Sequence, residues 1–243
     1  VPKGKRLGRP TGSIGEATRR RIISISMKHI GEHGYAKATL NNIADEAGLT
    51  SGAVYYYFRS KKALVVAVIA DVTAQLLERF ERAAEKADNL QGKLIAILEE
   101  TIAITDEMPD LAKFSVSVRV DGQRYPELHR ALAHSSGSYY ELYRRLVEQG
   151  VEAGDVAPGV DPRDVVDMFS IISFGLTMLT VELPGHRHRV AIRTIEKLLA
   201  GNLFPEAIPD GHDLAPQREE TPADSTPGRA VQPAGARRSA AAG

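Results

Sequence analysis

Cysteine and tryptophan are absent from the 243 residues, and aromatic residues make up only 6% of them. Without cysteine there is no disulfide and no thiolate metal site, although this does not discriminate between compartments. With so few aromatics, any core must be built from aliphatic side chains. No stretch alternates apolar and polar residues as a half-buried strand does. No uncharged apolar run reaches the roughly 20 residues of a membrane span; the longest covers 168–181. The basic N-terminal residues have no apolar segment behind them, so no secretory signal is expected. A soluble, cytoplasmic, all-α protein with no membrane partner is expected.

Chemistry is also sparse. There is no His-Glu-x-x-His, no phosphate-binding glycine loop and no nucleophile elbow. The seven histidines are scattered. The closest pair, His186 and His188, falls on different helix faces and has no partner at metal-ligand spacing. Glu99 with Glu100, and Asp106 with Glu107, read as solvated helix exteriors. No enzymatic activity, metal or cofactor is expected.

One further absence is informative. Between Ala47 and Ala70 there is no Asp or Glu, while Arg59, Lys61 and Lys62 are present. A surface that meets phosphates should avoid carboxylates. The formal net charge of zero hides an asymmetry. Residues 1–62 carry twelve Lys and Arg against four Asp and Glu, and the remainder carries nineteen against twenty-seven. A basic head on an acidic body suggests a nucleic-acid contact confined to the head.

The chain is organised around residues 39–61. Thr39 is placed to cap a short helix, with Ile43, Ala44 and Ala47 on one inward face. Gly48 stands where a helix ends in a left-handed residue, and Leu49 plugs the turn. Thr50 caps a second helix whose first turn is Ser51, Gly52 and Ala53, small enough for close approach of another backbone. Val54 and Phe58 face inward; Tyr55, Tyr56 and Lys61 are expected outward. Two short helices around a glycine turn form a helix-turn-helix, whose second helix puts its N-terminal residues at base edges in the major groove.

At the signature positions Thr39, Ile43, Ala44, Ala47, Gly48, Leu49, Thr50, Gly52, Val54, Tyr55, Tyr57, Phe58, Ser60, Lys61 and Leu64, the sequence resembles the DNA-binding domain of the tetracycline-repressor (TetR/AcrR) family. The resemblance covers about the first quarter of the chain. Asn42 is a departure, since an acidic residue completing a capping box is common there. The resemblance implies base or phosphate contacts by Asn41, Thr50, Ser51, Gly52, Ala53, Tyr55, Tyr56 and Lys61, with Thr39 near a phosphate. These residue types suit the role: hydroxyls reach phosphates, and tyrosine rings pack on thymine methyls.

Ahead of this domain, residues 1–15 read as a basic arm. Gly8-Arg9-Pro10 is a degenerate AT-hook core, with Leu7 where an arginine is expected. Arg6 and Arg9 either enter a minor groove or belong to a free charged tail. A helix over 16–33 with the stripe Ile22, Ile23, Met27 and Ile30 completes a domain spanning 16–60.

A long helix follows over 60–87, with Leu64, Val68, Val72, Leu76 and Phe80 four apart, long enough to be the only continuous lever from head to body. Further amphipathic helices are expected over 90–108, 109–120, 126–153, 162–183 and 186–203. These make a helical regulatory and dimerisation domain over 61–204. Residues 205–243 are Pro, Gly and Ala at nineteen of thirty-nine positions, too poor in apolar side chains to fold.

Residues 165–183 are apolar around most of the helix, so they should be buried on two sides, inside the subunit or at an interface. Members of the resembled family pair through their last two helices. That implies an interface of Ile171, Phe174, Gly175, Met178, Leu179, Ile195 and Leu198. The family also implies a ligand pocket, for which Phe114, Val118, Arg119, Tyr139, Tyr143, Met168 and Phe169 are the candidates. Few polar groups lie among the aliphatics, favouring a small apolar effector. The resulting expectation is a homodimeric repressor released from a palindromic double-stranded DNA operator by such a ligand. The alternative is an architectural protein, without effector, that coats A·T-rich DNA.

Overall fold

Thr39 and Thr50 start their helices as the sequence requires. Each hydroxyl accepts a backbone N–H three residues on, from Asn42 at 3.1 Å and from Ala53 at 3.2 Å. These caps open α2 (Leu40–Glu46) and α3 (Ser51–Tyr57) in the computed structural model, which describes residues 12–201 and 203. Gly48 makes the turn between them at φ 59°, where a Cβ would be strained. Ile43, Ala44, Ala47, Val54 and Phe58 are buried beneath it.

The pair packs on α1 (Gly12–Lys37), whose Ile22, Ile23 and Ile30 are buried. This helix starts inside the segment expected to be a loose arm. Its helical geometry breaks at Gly34, with φ 80° and ψ 162°, close to the expected end.

Then come α4 (Lys61–Ala84), capped by Ser60, α5 (Leu90–Glu107) and α6 (Pro109–Gly122). α7 (Pro126–Ala153), α8 (Pro162–Leu179) and α9 (Gly185–Leu199) complete the described elements. No strand occurs among the described residues. The fold is thus all-α, a three-helix head continued by α4 into a helical body. Helix α8 stops four residues short of the expected 183, and the Leu179 carbonyl takes the N–H groups of Glu182 at 3.2 Å and Leu183 at 2.9 Å in the turn that follows. Helix α9 ends before Gly201, which is left-handed at φ 71°.

Burial joins head and body into one core that runs from Ile22 to Ile192. Helix α6 lies between them. On one side it meets α1 so closely that a Cβ on Gly31 would stand 2.9 Å from the backbone N of Phe114. The Ser117 hydroxyl donates to the Ile30 carbonyl at 3.0 Å. On the other side Phe114 and Val118 turn into the body. A helix packed on both faces leaves little slack. Helix α4 is therefore not the sole lever from body to head.

Candidate DNA-reading head and effector cavity

The outer face of α3 is as open as the sequence suggests. Tyr55 is 51% exposed and Tyr56 64%. Asn41, Thr50 and Gly52 are exposed, with Ser51 and Ala53 partly so. A Cβ on Gly52 would meet nothing closer than the Thr50 hydroxyl at 4.0 Å. A helix whose first turn carries only small side chains lets its backbone approach a duplex. Arg6 and Arg9 lie outside the described residues.

Lys61 departs from expectation. It does not point outward: its ammonium donates to the carbonyls of Tyr35 at 2.7 Å and Ala36 at 3.2 Å. It also lies 4.2 Å from the centroid of the Tyr35 ring. The last carbonyls of α1 form the negative end of the helix and attract a cation; that of Tyr35 also accepts the Ala38 N–H at 3.2 Å. Burial pulls the Lys61 pKa below its ordinary value, with Asp121 and Glu127 opposing that shift. Lys61 is therefore a strut inside the head. Asn42 has a structural use too. Its side-chain amide donates to the Lys37 carbonyl at 3.3 Å, so it secures the α1–α2 link where a capping-box acid would have bonded the cap.

Tyr35 fixes the head to the body. Its backbone N–H donates to the Asp121 carboxylate of α6 at 2.7 Å. Its hydroxyl donates to Glu127 of α7 at 2.8 Å. Burial, then the hydrogen bond to Glu127, raise the Tyr35 pKa. No local sequence signal discloses this role of Tyr35, because its partners lie 86 and 92 residues away.

A further tie lies within the head. His29 and His33 on α1 and Glu46 on α2 bring three potential ligand atoms within 4.8 Å of one another. The two histidines are four apart, a helical spacing visible in the sequence but passed over for His186 and His188. The buried His29 Nδ1 contacts a Glu46 carboxylate oxygen at 2.5 Å, which accounts for the grouping as a bond between α1 and α2. His188 is also structural: buried, it bonds the Leu176 carbonyl through Nε2 at 3.1 Å and so holds α9 to α8.

In the body, α4, α5, α6, α7 and α8 surround a cavity of about 440 Å³. Phe114, Val118, Arg119, Tyr139 and Tyr143 line it. Met168 and Phe169 do not. Met168 is 40% exposed on the outer face of α8, and Phe169 is fully buried behind Tyr143, edge-on at 5.0 Å. An all-round apolar helix gives no phase from which to tell its lining face.

The wall also holds hydroxyls not anticipated in the sequence. Thr73 donates to the Ile69 carbonyl and meets Ser135 Oγ, each at 2.7 Å. The Tyr143 hydroxyl donates to Ser173 at 3.1 Å. These groups are satisfied within the wall, so what they present to a ligand is chiefly apolar. Burial raises the pKa of both Tyr139 and Tyr143, so neither phenol ionises near neutral pH.

The apolar circumference of α8 divides. Val166, Phe169 and Leu176 face the core, while Ile171 is 71% and Phe174 51% exposed. Leu179 and, on α9, Leu198 are exposed as well. Gly175 and Met178 are partly exposed, and a Cβ on Gly175 would meet nothing within 4 Å. Ile195 is half-buried against the core.

Residues 22–68 match the family described as "Bacterial regulatory proteins, tetR family". The chain is 23% identical over 143 residues to the fatty acid metabolism regulator protein of Bacillus subtilis (strain 168), covering 58% of this chain and 72% of the relative. Its fold is similar to that of the fatty acid degradation regulator FadR of Bacillus halodurans. The TM-score is 0.69 at 20% identity, over 81% of this chain and 98% of that one. It is also similar to FadR of Bacillus subtilis solved in complex with stearoyl-CoA. There the TM-score is 0.65 at 20% identity, over 76% and 99% of the two chains. No helix among the described residues is long and apolar enough to cross a membrane.

Proposed function

Starting from a chain that belongs to the tetR family of DNA-binding transcriptional regulators, we propose that it is a homodimeric repressor released from a palindromic operator by a small, largely apolar effector. The observation that carries the reading is the double role of α6. One face of this helix, through Phe114 and Val118, forms the cavity wall. Its other face seats α1 through Gly31, Ser117 and Asp121. A ligand that fills the cavity pushes on α6, and α1 must follow because the two backbones are already in contact.

The heads then leave the spacing of one DNA turn, about 34–36 Å or a multiple, at which both recognition helices fit the groove. Release requires the ligand to bind the two states unequally; a coupling of about 1–3 kcal/mol is a 5–150-fold change in DNA affinity. A second copy of the chain covers Leu179 and Leu198 on the α8–α9 face, joining the two heads. DNA contacts fall to Thr39, Asn41, Thr50, Ser51, Gly52, Ala53, Tyr55 and Tyr56. The acyl-CoA bound by the Bacillus subtilis relative makes acyl thioesters the first effectors to try.

The architectural alternative has no use for a cavity. Mapping bound sites across a bacterial genome separates the two: a few sharp palindromes support the regulator, and broad A·T-rich coating supports the alternative.

A further inference from the structure

Arg119 of α6 is the one charged side chain among the described residues that line the cavity. Its guanidinium carries five N–H donors and no acceptor, yet no described carboxylate, carbonyl or hydroxyl takes one of them. Its resolved contact is the face of Phe174, 4.8 Å from Cζ to the ring centroid. Other arginines of the body are paired: Arg79 with Glu100 and Glu107, Arg145 with Glu81, Arg189 with Asp106. Burial pulls the Arg119 pKa below its ordinary value, and the neighbouring Tyr139 phenol opposes this. A desolvated charge without a partner is costly, and folds seldom keep one that nothing satisfies.

The position of Arg119 is as informative as its isolation. Phe174, which it stacks on, and Ile171 line the cavity and are also exposed, so they mark its mouth. Phe114, Val118 and Leu176 form a deeper wall that is buried and uncharged. The cavity thus has a cationic rim and an apolar floor.

We propose that the effector is an amphiphile whose anionic group, a carboxylate or phosphate, is held by the Arg119 guanidinium while its apolar chain fills the cavity floor. This rests on the ligand-gated reading above. A guanidinium suits either oxyanion through two parallel hydrogen bonds, and the same charge repels a cationic ligand. Anion capture also places the load on α6 itself, the helix that seats α1.

The test is calorimetric titration of the full chain with dodecanoate, dodecyl phosphate and dodecanol, which share one chain and differ in the head. Both anions, or the one whose chemistry matches the natural effector, should bind the wild type roughly 10–100-fold more tightly than dodecanol. The tighter of the two identifies the source as carboxylate or phosphate. Arg119→Gln should abolish that advantage and leave dodecanol binding unchanged. Arg119→Lys should retain part of it, as a point charge without the fork. Equal wild-type affinity for all three would overturn the anion site while leaving the apolar cavity reading intact. No binding of any of the three would overturn both. The wild-type comparison needs no variant, so a misfolded Arg119→Gln would not rescue the proposal.

Discussion

The backbone N–H of Tyr35 donates to the Asp121 carboxylate at 2.7 Å, joining the end of α1 in the head to the end of α6 in the body. About one turn back along α1 and two turns back along α6, Gly31 presses on the backbone at Phe114. With the Ser117 hydroxyl on the Ile30 carbonyl, the α1–α6 seam is pinned at three places. Gly31→Ala would gain up to about 1 kcal/mol in helix propensity, but its Cβ would meet backbone that cannot rotate away. Overpacking costs of about 1–3 kcal/mol should win. Urea denaturation should show a net loss of stability, and ligand-free operator affinity should fall as α1 is displaced. A Gly31→Ala protein with unchanged stability and DNA affinity would mean that the seam is soft.

The recognition helix and its neighbouring strut should separate cleanly. Tyr55→Ala removes an exposed ring and should weaken operator binding with little change in stability. Substitutions at Ser51 or Ala53 should change base preference, by about 1–3 kcal/mol at a base position. Lys61→Met should instead destabilise the fold by about 1 kcal/mol, the value of a charge-assisted bond discounted for partial exposure. Chemical denaturation beside a binding isotherm checks each. Loss of DNA affinity at Lys61 with full stability would return that residue to the DNA face.

The contrast marks what the sequence can disclose. Helices α2 and α3 were readable because caps, a glycine turn and a four-residue apolar spacing are local signals. The inward turn of Lys61 has no local signal, because its partners, the last carbonyls of α1, lie 25 and 26 residues back. On α6 and α7 the candidates that the family resemblance implies, Phe114, Val118, Arg119, Tyr139 and Tyr143, line the cavity. It was misjudged on α8, where apolar residues surround the helix and Met168 and Phe169 could not be assigned a direction. The seam between Gly31 and Phe114 left no sequence signal, since a glycine inside a helix does not name its neighbour.

Leu179→Arg with Leu198→Glu addresses assembly. Both residues are exposed in the single chain, so neither change should unfold it. Sedimentation should show a folded monomer with poor operator affinity. A dimer of unchanged stability would place the interface on another face.

Glu196 provides a pH test. Its Oε1 is buried without a hydrogen-bond partner, and burial, then repulsion from Glu99, hold its pKa above the usual carboxylate range. Between the unfolded and folded values the folded state holds more protons, so this group's contribution to stability falls as pH rises through that window. Glu196→Gln should therefore be more stable than wild type at neutral pH. That advantage should shrink on acidification toward the ordinary carboxylate value. Thermal melts of both proteins across this range decide it; a constant difference at every pH would show that ionisation of Glu196 is irrelevant.

If the cavity on one face of α6 controls the head on the other, effector and operator must oppose one another. The most direct measurement is the reciprocal coupling between effector and operator. Operator affinity is measured with and without saturating amounts of the amphiphile that binds most tightly in the Arg119 titration, and the affinity of that amphiphile with and without saturating operator. Each ligand should weaken the other by the same factor, about 5–150-fold. An amphiphile that binds in the cavity and leaves operator affinity unchanged would overturn the coupling.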